Sequence, residues 1–250
     1  INKKKYYQNN IVATNCLLKL MEKNNIKKII FSSTEAIYQQ SPKLLKESSK
    51  LKPISIYAKT KLLCEKNINK QKNIKNVILR FFNVCSALEK PIIGELHNPE
   101  THLIPTIVYK AIKNKRVYIY GKDFPTPDGT CVRDYVHIKD ICLAIEKSIK
   151  FLLKGNNSTT FNIGNCKGLS NYEIIDYINK KLKRKINIKY VDKRKGDVSR
   201  LVCNSDKAKK ELSWVAINSN LKKIIHNEIN WIRKMNRAGL ERRFKNYLNS

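Results

Sequence analysis

Glycine is scarce in this chain, and its scarcity excludes one common kind of ligand site. Only 8 of the 250 residues are glycine, and they are isolated from one another. Neither G-x-x-G-x-x-G nor G-x-G-x-x-G occurs anywhere. The chain therefore holds no glycine-rich turn of the type that brings backbone N–H groups against a nucleotide diphosphate.

Patterns typical of metal sites, disulfide frameworks and membrane spans are also missing. The 7 cysteines are an odd number with no C-x-x-C pair, and the 4 histidines form no H-x-x-x-H pair. We therefore expect no metal site, no structural disulfide and a reducing compartment, the cytoplasm. No apolar run approaches the roughly 20 residues of a membrane-spanning helix, so we expect no membrane partner.

Acidic residues are few, which leaves a large basic excess. The chain has 51 Lys and Arg against 20 Asp and Glu, a formal net charge of +31. Basic surfaces bind nucleic acids by releasing counterions. Here, however, the lysines are spread along the whole chain, as in a solvated surface, and arginine is scarce beside them. We expect no nucleic-acid partner, and a basic nucleic-acid-binding protein stays as the alternative from another functional class.

The hydrophobic pattern predicts alternating helices and strands in the first third of the chain. Apolar residues recur at helical spacing from Tyr6 to Asn25, and short apolar strands follow at 27–33 and 77–82. A helix over about 55–68 separates these strands. Such alternation predicts βαβ units and a parallel sheet covered on both faces. The predicted fold class is α/β, with a doubly wound parallel sheet.

Beyond residue 90 the pattern is less regular. Residues 121–130 are rich in turn-forming residues, and Ser170 with Glu173 forms the signature of a helix-capping box. We predict strands at 117–120, 160–164 and 186–191, and helices over 102–114, after Asp140, after Ser170, over 205–212 and over 219–234.

The stretch IYAKTK (56–61) places Tyr57 and Lys61 one helical turn apart. Roughly two such Tyr-x-x-x-Lys pairs would arise from this composition by chance. The other four are Tyr109/Lys113, Tyr118/Lys122, Tyr135/Lys139 and Tyr177/Lys181. Ligands of open parallel sheets lie at the carboxyl ends of the strands, which points to Thr34 and Asn83. Tyr57 lies on the helix between those two strands, which distinguishes it from the others.

These side chains suit reversible oxidation of an alcohol. We expect Lys61 to lower the pKa of Tyr57, which would then act as an acid/base, and Thr34 to hydrogen-bond the reacting oxygen. The hydride must pass to a cofactor because no side chain accepts one. A solvated i,i+4 pair without a catalytic role is the alternative for Tyr57 and Lys61.

Several further segments occur in the order seen in UDP-glucose 4-epimerases, which are extended short-chain dehydrogenase/reductases. The chain resembles that family from about Tyr6 to Trp231. The run PTPDGTCVRDYVH is the most specific of the segments, whereas Y-x-x-x-K is shared by a very large superfamily. The matching segments are SSTEAIY (32–38), YAKTK (57–61), LRFFNV (79–84), THLIP (101–105), YGKDFPTPDGTCVRDYVHIKD (120–140), FNIG (161–164) and RKGD (194–197).

The resemblance implies an isomerase that uses NAD to epimerise C4 of a UDP-hexose through a 4-keto intermediate. It implies that Tyr57 is the acid/base, that Lys61 binds the nicotinamide ribose and tunes Tyr57, and that Thr34 is the third catalytic group. Asn9 and Phe82 match positions near the NAD. The positions that match the substrate-binding ones are Asn83, His102, Leu103, Tyr118, Tyr120, Arg133, Arg194 and Asp197.

Within that set, the resemblance assigns the UDP diphosphate to Arg133 and Arg194 and a ribose hydroxyl to Asp197. Other interpretations stay open. Arg133 with Asp134 can be a structural ion pair, and Asn83 can be a turn cap. Equally, the two tyrosines of the 117–120 strand can be strand core.

Departures from the family bear on the substrate. His102 stands where many members carry Asn, and Leu201 stands where the family varies in bulk near the sugar 2-position. A sibling epimerase acting on a UDP-N-acetylhexosamine or a UDP-pentose is therefore the nearest alternative. The sequence Thr34-Glu35-Ala36 lacks the acid pair of the 4,6-dehydratases, which argues against elimination chemistry.

The resemblance also sets the expected organisation. We expect residues 1–90 to be the remainder of an N-terminally truncated, Rossmann-like NAD-binding domain. Residues 91–234 would mainly form a smaller α/β UDP-sugar-binding region, with some segments returning to the first sheet, and 235–250 a tail. Without the glycine-rich turn we expect this chain alone to bind NAD weakly and to be inactive, and a non-catalytic remnant is an alternative. A homodimer through the helices near 6–25 and 55–68 is also implied.

Overall fold

The structure is a computed structural model that describes residues 3–97, 100–194 and 196–237. Its α-helices are α1 (Lys3–Tyr6), α2 (Ala13–Lys23), α3 (Ile56–Asn69), α4 (Leu103–Ile112), α5 (Ile138–Leu153), α6 (Asn171–Leu182), α7 (Asp206–Leu212) and α8 (Leu221–Arg237). Its strands are β1 (Lys28–Thr34), β2 (Lys75–Phe81), β3 (Asn83–Cys85), β4 (Val117–Tyr120), β5 (Val132–His137), β6 (Thr159–Ile163), β7 (Gly168–Ser170), β8 (Ile188–Val191) and β9 (Arg200–Leu201). A π-helical segment, Tyr7–Val12, joins α1 to α2.

The chain divides into two compact units. Unit 1 comprises the described residues up to Asn83, together with Ile141–Lys167 and Leu201–Val215. Unit 2 comprises Val84–Asp140, Gly168–Arg200 and the described residues from Ala216 onward. Residues 238–250 of the predicted tail lie outside the described residues. The predicted domain boundaries at 90 and 235 stay a prediction.

A parallel sheet in the order β1–β2–β6 forms the centre of unit 1, as the alternating pattern predicts. Thr34 pairs with Phe81, and Phe81 pairs with Ile163, so the carboxyl ends of the three strands lie level. Strand β2 is buried along most of its length, as expected for a central parallel strand. This level edge is where the sequence predicts a ligand site.

Helices α2 and α3 pack together on this sheet. Leu18 and Met21 of α2 form a buried cluster with Ile68 of α3 and with Ile74. Ser55 is the N-cap of α3, because its hydroxyl accepts a hydrogen bond of 3.0 Å from the backbone N–H of Ala58. The cap fixes where α3 begins, and it thereby places Tyr57 in the first turn of the helix.

A buried ion pair joins α3 to the central strand. The Arg80 guanidinium of β2 donates to both carboxylate oxygens of Glu65, at 2.7 and 3.1 Å. It also donates to the Tyr38 hydroxyl at 2.7 Å, which in turn donates to Asn162 of β6 at 2.7 Å. Burial raises the pKa of Tyr38 to about 12, so its hydroxyl stays protonated. The network ties α3 to both β2 and β6, because a buried charge must be paired.

Unit 2 holds a sheet in the order β3–β5–β7 and a separate parallel pair, β4 and β8. Strands β5 and β7 run antiparallel, with Arg133 opposite Leu169. The sequence pattern does not predict β3, β5, β7 or β9. Strand β5 reads VRDYVH, and its charged residues interrupt the apolar alternation that marks a strand. Asp134 and His137 are nevertheless buried.

The core of unit 2 lies among α4, α6, α8 and β4. Its buried members include Ile104 and Ile107 of α4, Ile178 of α6 and Ile229 of α8. The predicted capping box of α6 is confirmed, since the Ser170 hydroxyl accepts from the Glu173 N–H and the Glu173 carboxylate accepts from the Ser170 N–H. The 117–120 strand is confirmed as well, as β4.

None of the helices in the described part of the chain is long and apolar enough to cross a membrane. None of the seven cysteines, all of which lie in the described part of the chain, forms a disulfide.

Candidate active site

Three polar side chains meet at the carboxyl edge of the unit 1 sheet. Thr34 ends β1, and its hydroxyl accepts from the Ala36 N–H and donates to the Glu35 carboxylate, each at 3.2 Å. Asn83 follows β2 and donates to the other oxygen of Glu35 at 3.3 Å. Glu35 thus bridges the ends of two neighbouring strands. The sequence allows Asn83 to be a turn cap, but its side chain also contacts a side chain at the end of another strand.

Tyr57 joins this group from the first turn of α3. Its ring is partly exposed and lies 6.1 Å from the ring of Tyr6, centroid to centroid. Burial raises the pKa of Tyr57 above its usual value, the nearby Thr34 hydroxyl lowers it, and the Glu35 carboxylate and Tyr6 raise it further. The structure therefore brings the predicted phenol and the predicted hydroxyl close together.

Lys61 lies one turn further along α3, with its ammonium 4.4 Å from the centre of the Phe31 ring. Burial lowers the pKa of Lys61, and nearby Glu65 and Cys64 partly oppose that effect. That Lys61 lowers the pKa of Tyr57 stays a prediction. Burial is the largest influence on the pKa of Tyr57, and it raises that pKa.

The two residues predicted near the cofactor occupy different environments. Asn9 is exposed on the π-helical segment, whereas Phe82 is only 2% exposed and belongs to the core. The neighbouring Asn10 donates to the Thr60 hydroxyl at 2.8 Å, and that hydroxyl donates to the Tyr57 carbonyl at 2.8 Å. Asn10 therefore supports the turn that carries Tyr57, a contact that the sequence does not predict.

Two predicted substrate residues lie on the outer face of β4 in unit 2. Tyr118 and Tyr120 are each 39% exposed, while the alternating residues Val117 and Ile119 are buried. The alternative that these tyrosines are strand core is therefore wrong. The Lys110 ammonium lies 5.0 Å from the centre of the Tyr118 ring.

Arg194 connects Tyr120 to Asp197. Its guanidinium carbon lies 4.3 Å from the centre of the Tyr120 ring, and its Nε donates to the Asp197 carboxylate at 3.2 Å. Stacking on a ring and a bond to a carboxylate both orient the planar guanidinium. The Arg194 side chain is more than half exposed, so a ligand can approach it from solvent.

Arg133 belongs to the same neighbourhood. It donates to the backbone carbonyls of Val132 at 2.9 Å and of Ser199 at 3.5 Å. Burial raises the pKa of the Cys131 thiol, Arg133 lowers it, Asp197 raises it and Arg194 lowers it. Both guanidinium groups thus lie within electrostatic range of Cys131, and guanidinium groups are suited to binding a diphosphate.

His102 and Leu103 begin α4. His102 is the N-cap residue, and Leu103 packs against the unit 2 core. The His102 imidazole contacts Glu100 and Glu95 at 3.1 and 2.9 Å. Hydrogen bonds to Glu100 and then to Glu95 raise the pKa of His102 to about 10.

The predicted residues thus form one group in each unit. Unit 1 brings together Thr34, Tyr57 and Asn83, and sequence reasoning missed Glu35 among them. Glu35 directly follows Thr34 at a strand end, and this position could have identified it as a candidate site residue from the sequence. Unit 2 brings together Tyr120, Arg133, Arg194 and Asp197.

Comparisons with known proteins agree with this geometry. The sequence profile of the NAD dependent epimerase/dehydratase family matches residues 1–164. The chain is 38% identical over 239 residues to UDP-glucose 4-epimerase from Rhizobium meliloti (strain 1021), covering 94% of this chain and 73% of that protein. It is 40% identical over 232 residues to UDP-glucose 4-epimerase from Lacticaseibacillus casei, covering 91% and 70%.

The fold is also similar to solved structures. One is the crystal structure of UDP-glucose 4-epimerase from Bifidobacterium longum in complex with NAD+ and UDP. The two chains are 31% identical with a TM-score of 0.85, and the match covers 92% of this chain and 70% of the other.

Proposed function

The chain belongs to the UDP-glucose 4-epimerase family, and from this premise we propose that it interconverts UDP-glucose and UDP-galactose by NAD-dependent epimerisation at C4. One observation carries the assignment to particular residues. The Tyr57 phenol lies beside Thr34, whose hydroxyl lowers its pKa, at the level carboxyl edge of the parallel sheet. A phenol and a hydroxyl placed there suit proton transfer to and from one sugar hydroxyl.

Tyr57 takes the proton of the 4-hydroxyl as the C4–H bond breaks, which leaves a 4-keto sugar. The hydride leaves C4 and later returns to its opposite face, and NAD supplies this acceptor and donor chemistry when bound. Tyr57 gives the proton back to the same oxygen, so the protein ends the cycle unchanged. Thr34 holds the C4 oxygen through its hydroxyl, and Glu35 orients that hydroxyl by accepting from it at 3.2 Å.

The donors present fit the nicotinamide–ribose end of the cofactor. Lys61 offers an ammonium one turn after Tyr57, and ribose hydroxyls are suitable acceptors for it. Asn9, exposed on the π-helical segment, would contact the cofactor, and the buried ring of Phe82 would provide an apolar contact. The sequence contains no glycine-rich turn, so we assign no residue of this chain to the cofactor diphosphate.

The nucleotide part of the substrate is assigned to unit 2. Arg133 and Arg194 hold the UDP diphosphate, and Asp197 accepts a ribose hydroxyl. The exposed ring of Tyr120 stacks with Arg194, so an aromatic side chain and a cationic side chain lie next to each other on this surface. This arrangement supports the assignment. The other substrate-binding residues are Asn83, His102, Leu103 and Tyr118.

The protein would act as a homodimer. Apolar side chains remain exposed on the helices of unit 1, although Leu18 and Met21 on the opposite face of α2 are buried. Pairing with a second copy would remove this surface from water. The exposed apolar side chains are Tyr7, Val12, Leu17, Leu20 and Leu63.

The activity is tested by placing the N-terminal region of the Lacticaseibacillus casei relative before residue 1. The resulting chimera is incubated with UDP-galactose and NAD, and proton NMR follows the anomeric signals. Conversion to UDP-glucose at an NAD-dependent rate is expected. A folded chimera that binds NAD and leaves UDP-galactose unchanged would contradict the proposed function.

A further inference from the structure

A cluster of acidic and imidazole side chains lies in unit 2 just before α4. Glu95, His97, Glu100 and His102 each direct one atom to a common point, and these four atoms lie within 4.8 Å of one another. The two Nδ1 atoms are 3.3 Å apart. His102 Nδ1 lies 2.9 Å from Glu95 and 3.1 Å from Glu100, and His97 Nδ1 also contacts Glu95.

The two Nδ1 atoms lie at the edge length of a coordination tetrahedron, and the contacts of His102 with Glu95 and Glu100 are slightly shorter than that edge. Zinc bonds of about 2.0–2.2 Å to imidazole nitrogen and carboxylate oxygen place neighbouring ligand atoms about 3.3 Å apart. We propose that Glu95, His97, Glu100 and His102 bind a divalent transition-metal cation, with Zn²⁺ the best match. Two imidazoles and two carboxylates form a neutral complex with such an ion.

A second, independent observation points to a missing partner. Glu100 is only 1% exposed, and among the residues that the structure describes none donates a hydrogen bond to its Oε2. Its Oε1 accepts from the His102 N–H at 2.7 Å. A buried carboxylate oxygen without a partner is costly. A cation coordinated by Oε2 of Glu100 removes that cost.

The spacing explains why sequence analysis predicts no metal here. The pattern is E-x-H-x-x-E-x-H, in which the histidines lie five residues apart instead of four on one helix face. The fold nevertheless brings their Nδ1 atoms to 3.3 Å from one another. The inference does not depend on the UDP-sugar proposal, since metal binding is read without substrate.

The test is a titration of the metal-stripped chain with CoCl₂, followed by displacement with ZnCl₂. We expect one equivalent of Co²⁺ to give the visible absorption bands of tetrahedral cobalt, and Zn²⁺ to abolish them. His97→Ala should weaken Co²⁺ binding at least about 100-fold, since even supporting groups of metal sites contribute 10- to 100-fold. His226→Ala is the matched control, because His226 is an exposed histidine of α8 whose partner is Asn230.

His97 is exposed, so its replacement should leave the fold intact, and circular dichroism checks this. As a second readout, Zn²⁺ should raise the thermal midpoint of the wild-type chain and of His226→Ala, but not that of His97→Ala. The proposal is overturned if the wild-type chain gives no tetrahedral cobalt bands. It is equally overturned if His97→Ala and His226→Ala bind Co²⁺ with the same affinity, which would leave a hydrogen-bonded cluster without a metal.

Discussion

The side-chain amide of Asn83 donates a 3.3 Å hydrogen bond to Glu35, whose other carboxylate oxygen accepts from Thr34 at 3.2 Å. One carboxylate therefore joins the ends of β1 and β2. Its negative charge lies close enough to raise the pKa of Tyr57. Glu35 is thus a positioning residue for Thr34 and an electrostatic influence on the proposed acid/base.

Replacing Glu35 should change the pH dependence of the reaction. Glu35→Gln removes a charge that raises the pKa of Tyr57, so that pKa should fall. Tyr57 accepts a proton in the first step, so a lower pKa moves the rise of kcat with pH toward lower pH. The kcat–pH profile of the chimera measures this shift, with the exposed Glu211→Gln as the control. An unchanged profile, or one moved to higher pH, would contradict the role given to Glu35.

Removing Arg194 should weaken nucleotide binding. Arg194→Ala deletes a guanidinium that is already oriented by Tyr120 and Asp197. A hydrogen bond to a charged group contributes about 1.5–3 kcal/mol, so the Kd for UDP should rise about 10- to 100-fold. Calorimetric titration of the chain with UDP measures the change. Arg233→Ala, an exposed arginine of α8, should bind UDP like the wild type, and equal affinities in the two variants would refute the assignment.

Breaking the buried ion pair of unit 1 should destabilise the chain strongly. Glu65→Ala leaves the Arg80 guanidinium buried without its charged partner, at a cost of about 3–5 kcal/mol. Urea unfolding measures the loss of unfolding free energy. The exposed pair of Glu146 and Lys150 on α5 is the comparison, and Glu146→Ala should leave the free energy of unfolding nearly unchanged. Similar losses in both variants would show that the Arg80–Glu65 pair does not anchor α3.

The proposed dimer should depend on the exposed face of α2. Leu17→Asp puts a charge on a surface that we expect to meet a second copy, so association should be lost. Multi-angle light scattering should give twice the monomer mass for the wild type and the monomer mass for Leu17→Asp. Leu153→Asp, a change at the exposed end of α5, should stay dimeric. A monomeric wild-type chain would contradict the proposed homodimer.

The sequence predicts the sheet of unit 1 and the choice of Tyr57 because both follow from local pattern. Apolar strands, a Ser55 cap and a helix between two strand ends suffice to place Tyr57 beside Thr34. The sequence does not predict β5, because its charged residues are satisfied by contacts that exist only in the folded unit.

Side-chain relationships between distant residues are the part that sequence reasoning misses. The spacing of Tyr57 and Lys61 does not predict that the ammonium lies over Phe31, a residue of β1. The cluster of His97 with His102 similarly depends on side-chain contacts that no helix or strand spacing predicts. Such contacts are set by packing after the elements have formed, and periodicity carries no information about them.

The most direct test of the central claim is the epimerase rate of the chimera carrying Tyr57→Phe. This change removes one hydroxyl and keeps the ring. Tyr177→Phe is the matched control, since Tyr177 stands in the same Tyr-x-x-x-Lys spacing but packs against the unit 2 core. Tyr57→Phe should abolish conversion of UDP-galactose while NAD remains bound, and Tyr177→Phe should retain it. Undiminished turnover in Tyr57→Phe would contradict the assignment of Tyr57 as the acid/base.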